Sequence, residues 1–191
     1  MSHSSPSSKK QATSSPEELA AVVLEPIAQA QSPILLNLVE LYAHDFSEHV
    51  PLELKPSGRF DVPLGDSWWT AEGHHPFFIR WNEKLVGFAL VRRGSRISGA
   101  ADVMDVAEFF VVRGVRRKKI GASVAHALFK AFPGRWELRV RQTNVAALKF
   151  WSRAVEAWSG RPADCTPFSA NNVDWHVLHV DSSVTPTAAP V

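Results

Sequence analysis

Residues 113–123 read RGVRRKKIGAS, and five of the first seven side chains are cationic: Arg113, Arg116, Arg117, Lys118 and Lys119. An apolar run, EFFVV (108–112), precedes them, and an apolar-periodic run, IGASVAHALFKAF (120–132), follows. The chain therefore concentrates positive charge where a buried strand hands over to a helix. A helix start exposes up to about four unpaired backbone N–H groups and a partial positive charge. Small residues at Gly121, Ala122 and Ser123 let a ligand approach that backbone closely. Arginine and lysine beside it supply charge-assisted contacts to phosphate oxygens. The chemistry such a stretch could do is phosphate binding; the alternative is a solvated basic turn. It is neither a Walker A loop nor a dinucleotide G-x-G-x-x-G.

Other ionisable residues widen the choice. Glu108 lies in an otherwise apolar run, where a carboxylate is costly unless paired or used. It either acts as a base, with a pKa raised by burial, or reaches solvent from a strand end. The cluster HDFSEH (44–49) looks like a metal set but fails on geometry, because His44 and His49 stand about 140° apart around a helix. Asp45 and Glu48 from it either attract a cationic amine or form a solvated face. Trp68 and Trp69 wall a pocket or cover the core, and His74-His75 reads as a loop. Cys165 is the only cysteine, so no intrachain disulfide forms; a small structural thiol is the plainer reading, and a reducing, cytoplasmic setting is expected.

The elements that must position these groups follow from composition and period. The chain has 191 residues, 45% hydrophobic and 21% charged, as expected of one globular domain. The net charge of +2, less the five cations of 113–119, is −3, so the basic feature is local and suits a small anion better than a nucleic-acid surface. No apolar run reaches the length of a membrane span. Residues 1–18 form a Ser/Pro-rich leader and 182–191 a tail, both expected to be disordered, around a domain at 19–181. Within it, 22–28 reads as a strand and 33–50 as a helix, with Ser32 as N-cap and Pro33 at the first position. Leu35, Leu38, Tyr42 and Phe46 share one face of that helix. Residues 51–73 read as irregular; 76–81 and 84–93 form a hairpin about Asn82-Glu83. A doubly buried strand (105–112), a helix from Ile120 to Pro133, a strand (136–140), a helix capped by Asn144 and a last strand (174–180) complete an α/β domain around a mixed sheet.

At this point the chain resembles the GNAT superfamily of acetyl-CoA-dependent N-acetyltransferases. The superfamily's V-x-P-x-x-[RQ]-x-x-G-x-[GA] matches the run Val111 to Gly121, and its N-x-x-A-[IL]-x-[FL]-[YW] matches Asn144 to Trp151. The resemblance spans roughly residues 20–180 in element order and extends to a bacterial subgroup of uncharacterised predicted acetyltransferases. It implies acetyl transfer from acetyl-CoA, a co-substrate, to an amine of a small molecule or protein, with no metal, nucleic acid or membrane; it allows a homodimer. By the resemblance, main-chain groups of Phe110, Val111 and Val112 pair with the pantetheine. The pyrophosphate sits on the backbone from Arg116 through Arg117, Lys118, Lys119, Ile120 and Gly121 to Ala122. Asn144 contacts the pantetheine or only caps its helix. Two departures stand out: Arg113 and Lys119 replace the motif's proline and first glycine, and Trp151 stands where a tyrosine protonates the departing thiolate in many members. Tryptophan cannot do that. Tyr42, the sole tyrosine, is either the substitute acid or a core residue. The competing readings are a catalytically weak acyl-CoA sensor on the same fold and nucleic-acid binding through RGVRRKK, which has no interleaved aromatics.

Overall fold

A computed structural model describes residues 22–183. The expected leader and residues 184–191 of the expected tail lie outside the described residues. Ser182, also expected in the tail, is instead buried, and its hydroxyl accepts from the Trp136 indole at 3.1 Å.

The chain runs β1 (Val22–Pro26), α1 (Ser32–Phe46), α2 (Ser67–Thr70), β2 (His74–Trp81), β3 (Lys84–Arg93), β4 (Met104–Val111), α3 (Ile120–Ala131), β5 (Arg135–Arg141), α4 (Val145–Ser159), β6 (Asp164–Ala170) and β7 (Val173–Asp181). All seven strands join one sheet in the order β1-β2-β3-β4-β5-β7-β6. Only the β4–β5 neighbours are parallel; every other pair is antiparallel. The α/β class and mixed sheet expected from the sequence are what the chain forms.

Each face of the sheet buries its own core. Ile120, Val124, Leu128 and Phe129 of α3 and Trp151 and Val155 of α4 pack on Ile79, Val106, Leu138 and Leu178. On the other face Leu35, Leu38 and Val39 of α1 pack on Phe78, Phe88, Leu90 and Phe110. Of the α1 residues that the spacing placed together, Leu35 and Leu38 are core, Tyr42 packs against it, and Phe46 lies beyond it in the lining of a cavity. Both two-residue hairpin turns hold positive φ, at Asn82-Glu83 (49° and 63°) and Asn171-Asn172 (52° and 59°). Such turns match the right-handed twist of the strands they join.

The structure corrects several expected boundaries. Ser32 opens α1 rather than capping it; the cap position is Gln31, which makes no side-chain cap bond. His74 and His75 are strand residues paired with Arg92 and Val91, because the residue before Pro76 is driven into the extended region. Residues 67–70 make one helical turn inside the segment expected to be irregular. Strand β6 went unseen in the sequence: it is an edge strand, exposed at most positions and carrying Pro167, so it has no alternation to read. Cys165 lies exposed on it.

Candidate active site

Strands β4 and β5, joined by the α3 crossover, run parallel, but they pair only at Met104↔Trp136 and Asp105↔Glu137. Beyond that point they part. The cause lies in β4: Leu90 faces Glu108 while Val91 faces Val106, so Ala107 is an extra residue, a β-bulge that bends the strand. Between the parted strands opens a cavity of about 160 Å³, lined by Tyr42 and Phe46 of α1, Glu108 and Phe109 of β4, Arg139 and Arg141 of β5, Trp151 of α4 and Asn144 just before it. A larger cavity, about 420 Å³, lies at the opposite end of β5 between Arg135, Ser159 and Arg161. It contains neither an open strand edge nor any of the groups singled out above.

The open edge of β4 offers unused backbone. The Val112 N–H donates to the Val86 carbonyl at 2.9 Å, so by alternation Phe110 also turns its main-chain groups toward β3. That leaves Phe109 and Val111 facing the gap. Of the three residues expected to pair strand-fashion with a ligand, Phe110 and Val112 therefore have their edge spent on β3, and only Val111 faces the cleft. The Val111 carbonyl accepts from the Arg116 Nε at 2.7 Å, leaving its N–H to the gap.

The basic loop continues from that edge. Among the described residues, no carbonyl or side chain accepts from the backbone N–H of Arg117, Lys118, Lys119, Ile120, Gly121 or Ala122; the first helical bond of α3 is Ser123 N–H to the Lys119 carbonyl, at 3.0 Å. Arg117 and Lys119 hold φ of 66° and 62°. Left-handed residues alternating along a loop turn successive N–H groups to one side, a concave anion seat. Lys119 thus adopts the backbone that a glycine takes freely, and the loop stays open around it. Gly121 is fixed by packing, since a Cβ there would stand 2.9 Å from the Phe150 ring of α4. The side-chain cations are partly spoken for: Arg113 bonds Asp45 (2.8 Å) and Glu48 (3.1 Å), Arg116 bonds Asp45, and Lys118 lies over Trp81.

Those bonds change the reading of Asp45 and Glu48. Both are consumed by the loop's arginines instead of standing free for a cationic amine. Burial pushes the Asp45 carboxyl up, but Arg116 and Arg113 outweigh it and hold it below the usual carboxylate range. Trp68 sits outside the cleft lining, edge-on to His74 at 4.9 Å and packed under α1's core.

Glu108 does face the cleft, half-buried, and the Tyr42 hydroxyl donates to it at 2.6 Å. Burial raises its pKa above the ordinary value, with the Tyr42 hydrogen bond and Arg139 opposing. Tyr42 is itself pushed far up by burial and then by the Glu108 charge, so it stays protonated and its proton is committed to the carboxylate. Asn144 caps α4 through its Oδ1, which accepts from the Ala147 N–H at 2.9 Å, and also lines the cleft. Trp151 is buried against Phe109, centroids 5.0 Å apart. Arg139, Arg141 and Trp175 line the cleft too. None was picked from the sequence, although Arg139 and Arg141 stand at alternate positions of a strand whose other face is Leu138 and Val140. Among the described residues no group of three or more His, Cys, Asp or Glu side chains could hold a metal ion, and no helix is long and apolar enough to cross a membrane.

A parted parallel strand pair beside an open run of N–H groups at a helix start is a geometry suited to an extended ligand that carries phosphate. The chain belongs to the acetyltransferase (GNAT) family, whose model matches residues 35–155, and it is by that membership an acetyltransferase. Solved structures of similar fold include an acetyltransferase from Thermus thermophilus, 11% identical over 85% of this chain and 98% of that one, with a TM-score of 0.64. AAC(6')-Ib in complex with ribostamycin and coenzyme A is 12% identical over 84% and 93%, with a TM-score of 0.62. Spermidine N-acetyltransferase from Vibrio cholerae with CoA and spermine is 12% identical over 85% and 96%, with a TM-score of 0.58. No curated protein matches the sequence.

Proposed function

We propose that the protein moves an acetyl group from acetyl-CoA to an amine by direct attack on the thioester. The observation that carries this reading is the continuity of the open β4 edge with the free N–H run from Arg117 to Ala122. A pantetheine arm fits the edge and a pyrophosphate fits the run. The Val111 N–H is then the donor that polarises the thioester carbonyl and receives the developing oxyanion. The amine nitrogen forms the new C–N bond as the C–S bond breaks, and the sulfur leaves with the electron pair. Glu108, with its raised pKa, takes the amine's proton directly or through water. The thiolate draws its proton from solvent, since the Trp151 indole N–H is far too weak an acid and the Tyr42 hydroxyl keeps its proton in the hydrogen bond to Glu108.

That last step favours a second reading, a domain that binds acyl-CoA but turns over slowly. One experiment separates the two. Thermal shift with acetyl-CoA, CoA and acetylated pantetheine is read beside thiol release over a broad amine panel. At about 100 times Kd, binding stabilises by about 2.7 kcal/mol, which for a domain of this size is a rise of roughly 5–11 °C. A rise with both CoA forms, little with the truncated donor, and thiol release with an amine is the expected result. A rise without release selects the binding domain, and no rise with any donor rejects both.

A further inference from the structure

The acceptor side of the cleft is more cationic than a polyamine would tolerate. Arg139 and Arg141 project from the face of β5 opposite Leu138 and Val140, beside Glu108. Both guanidinium groups lie over the Trp175 ring, at 5.5 and 4.6 Å. Stacking on a ring fixes the plane of a guanidinium and leaves its N–H edge for a planar, bidentate acceptor. The carboxylates nearby pair with Arg139 but not with Arg141. Asp105 is shared between Arg92 and Arg139, and the Tyr42 hydroxyl occupies Glu108. Among the described residues, Arg141 has no carboxylate within ion-pair distance, and its buried Nε has no hydrogen-bond acceptor at all. A desolvated charged donor without a partner is costly, and an anionic ligand group would satisfy it.

We infer that the acceptor is an amine that also carries a carboxylate, and that Arg141, assisted by Arg139, binds this carboxylate while the amine faces Glu108. The inference rests on the acetyl-transfer reading and names its substrate class: amino-acid-like amines. Asp45 and Glu48, the carboxylates that could have drawn a cation, are already taken by Arg113 and Arg116.

The test is a matched acceptor set assayed by thiol release with acetyl-CoA: phenylalanine against phenethylamine, leucine against isoamylamine, O-phosphoethanolamine against ethanolamine, and spermine. A charged hydrogen-bonded pair predicts kcat/KM higher by about 10–100-fold for the amino acid in the phenylalanine and leucine pairs. Arg141→Gln is expected to erase that ratio through KM, and Arg141→Lys to keep part of it. A preference for the plain amines or spermine overturns the inference, as does a preference that survives Arg141→Gln. A preference for the phosphate over both carboxylates assigns the arginines to a different anion and also overturns it. Calorimetry of phenylalanine binding to the protein with CoA keeps the two readings apart. Binding lost in Arg141→Gln, with no thiol release by any acceptor, upholds the carboxylate site and rejects acetyl transfer. Transfer to amines without carboxylate dependence does the reverse.

Discussion

Glu108 carries the most chemistry of any single residue, and its environment yields a paired prediction. A carboxyl whose folded pKa is raised binds more protons folded than unfolded, from its ordinary value up to the raised one. Stability then falls as pH climbs through that window. Glu108→Gln removes the cost while keeping an acceptor for Tyr42, so it is expected to raise Tm at pH ~7 and to match the parent near pH ~4. The difference should grow at about 1.4 kcal/mol per pH unit until the residue's own pKa is passed. Turnover should move the other way: lower at neutral pH, with a deficit that shrinks as more free amine becomes available. A variant that matches the parent in both Tm and pH profile removes Glu108 from the mechanism. Lys119 gives a second prediction. A left-handed lysine costs about 1–2 kcal/mol, and glycine there gives back about 0.5–1 kcal/mol through its freer unfolded chain. Lys119→Gly is therefore expected to stabilise by up to about 1 kcal/mol, with acetyl-CoA affinity retained, as measured by denaturant unfolding and ligand titration.

The element that makes the site is β4, and what shapes it is its fit to β3. A Cβ on Gly87 would collide with the carbonyl oxygen of Phe110, the residue before its ladder partner Val111. Backbone cannot yield there as a side-chain tip can, so Gly87→Ala is expected to destabilise by at least about 1–3 kcal/mol and to shift the Val111 edge that faces the cleft. Gly121→Ala meets the Phe150 ring instead, and that ring can turn. The expected cost is smaller, with weakened acetyl-CoA binding as α3 moves off α4. Equal losses in the two variants, measured by urea unfolding, would mean the β3–β4 approach is not the stricter constraint.

Across the whole molecule, a buried ion cluster joins β3, β4 and β5 at the point where the sheet opens. Arg92 and Asp105 are both buried and bonded, and Arg139 reaches the other Asp105 oxygen at 3.4 Å. Removing one partner of a buried pair leaves a desolvated charge, at a cost of about 3–5 kcal/mol. Asp105→Asn is expected to unfold the domain at correspondingly lower denaturant, since two arginines lose their counter-charge together. A loss below ~1 kcal/mol in that titration would show that water reaches the cluster and screens it.

Local period and local charge carry everything about this chain that can be read along its length. They set the apolar stripes of α1 and α3, the Asn82-Glu83 turn and the Asn144 cap. They also marked the small-residue start of α3 beside a basic loop and the one carboxylate in an apolar strand. These are properties of neighbours along the chain, independent of how it folds. Tertiary structure alone decided which charges remain free. Asp45 sits 68 residues from Arg113, and nothing local says that they pair. The Ala107 bulge is visible only against β3's register, and it parts β4 from β5. Arg139, Arg141 and Trp175 become one surface only when β7 enters the sheet beside β5. Strand β6 has almost no buried face, so only its ladder to β7 defines it. Hydrophobic pattern records which face a residue buries, whereas charge pairing and strand separation depend on partners the pattern does not encode.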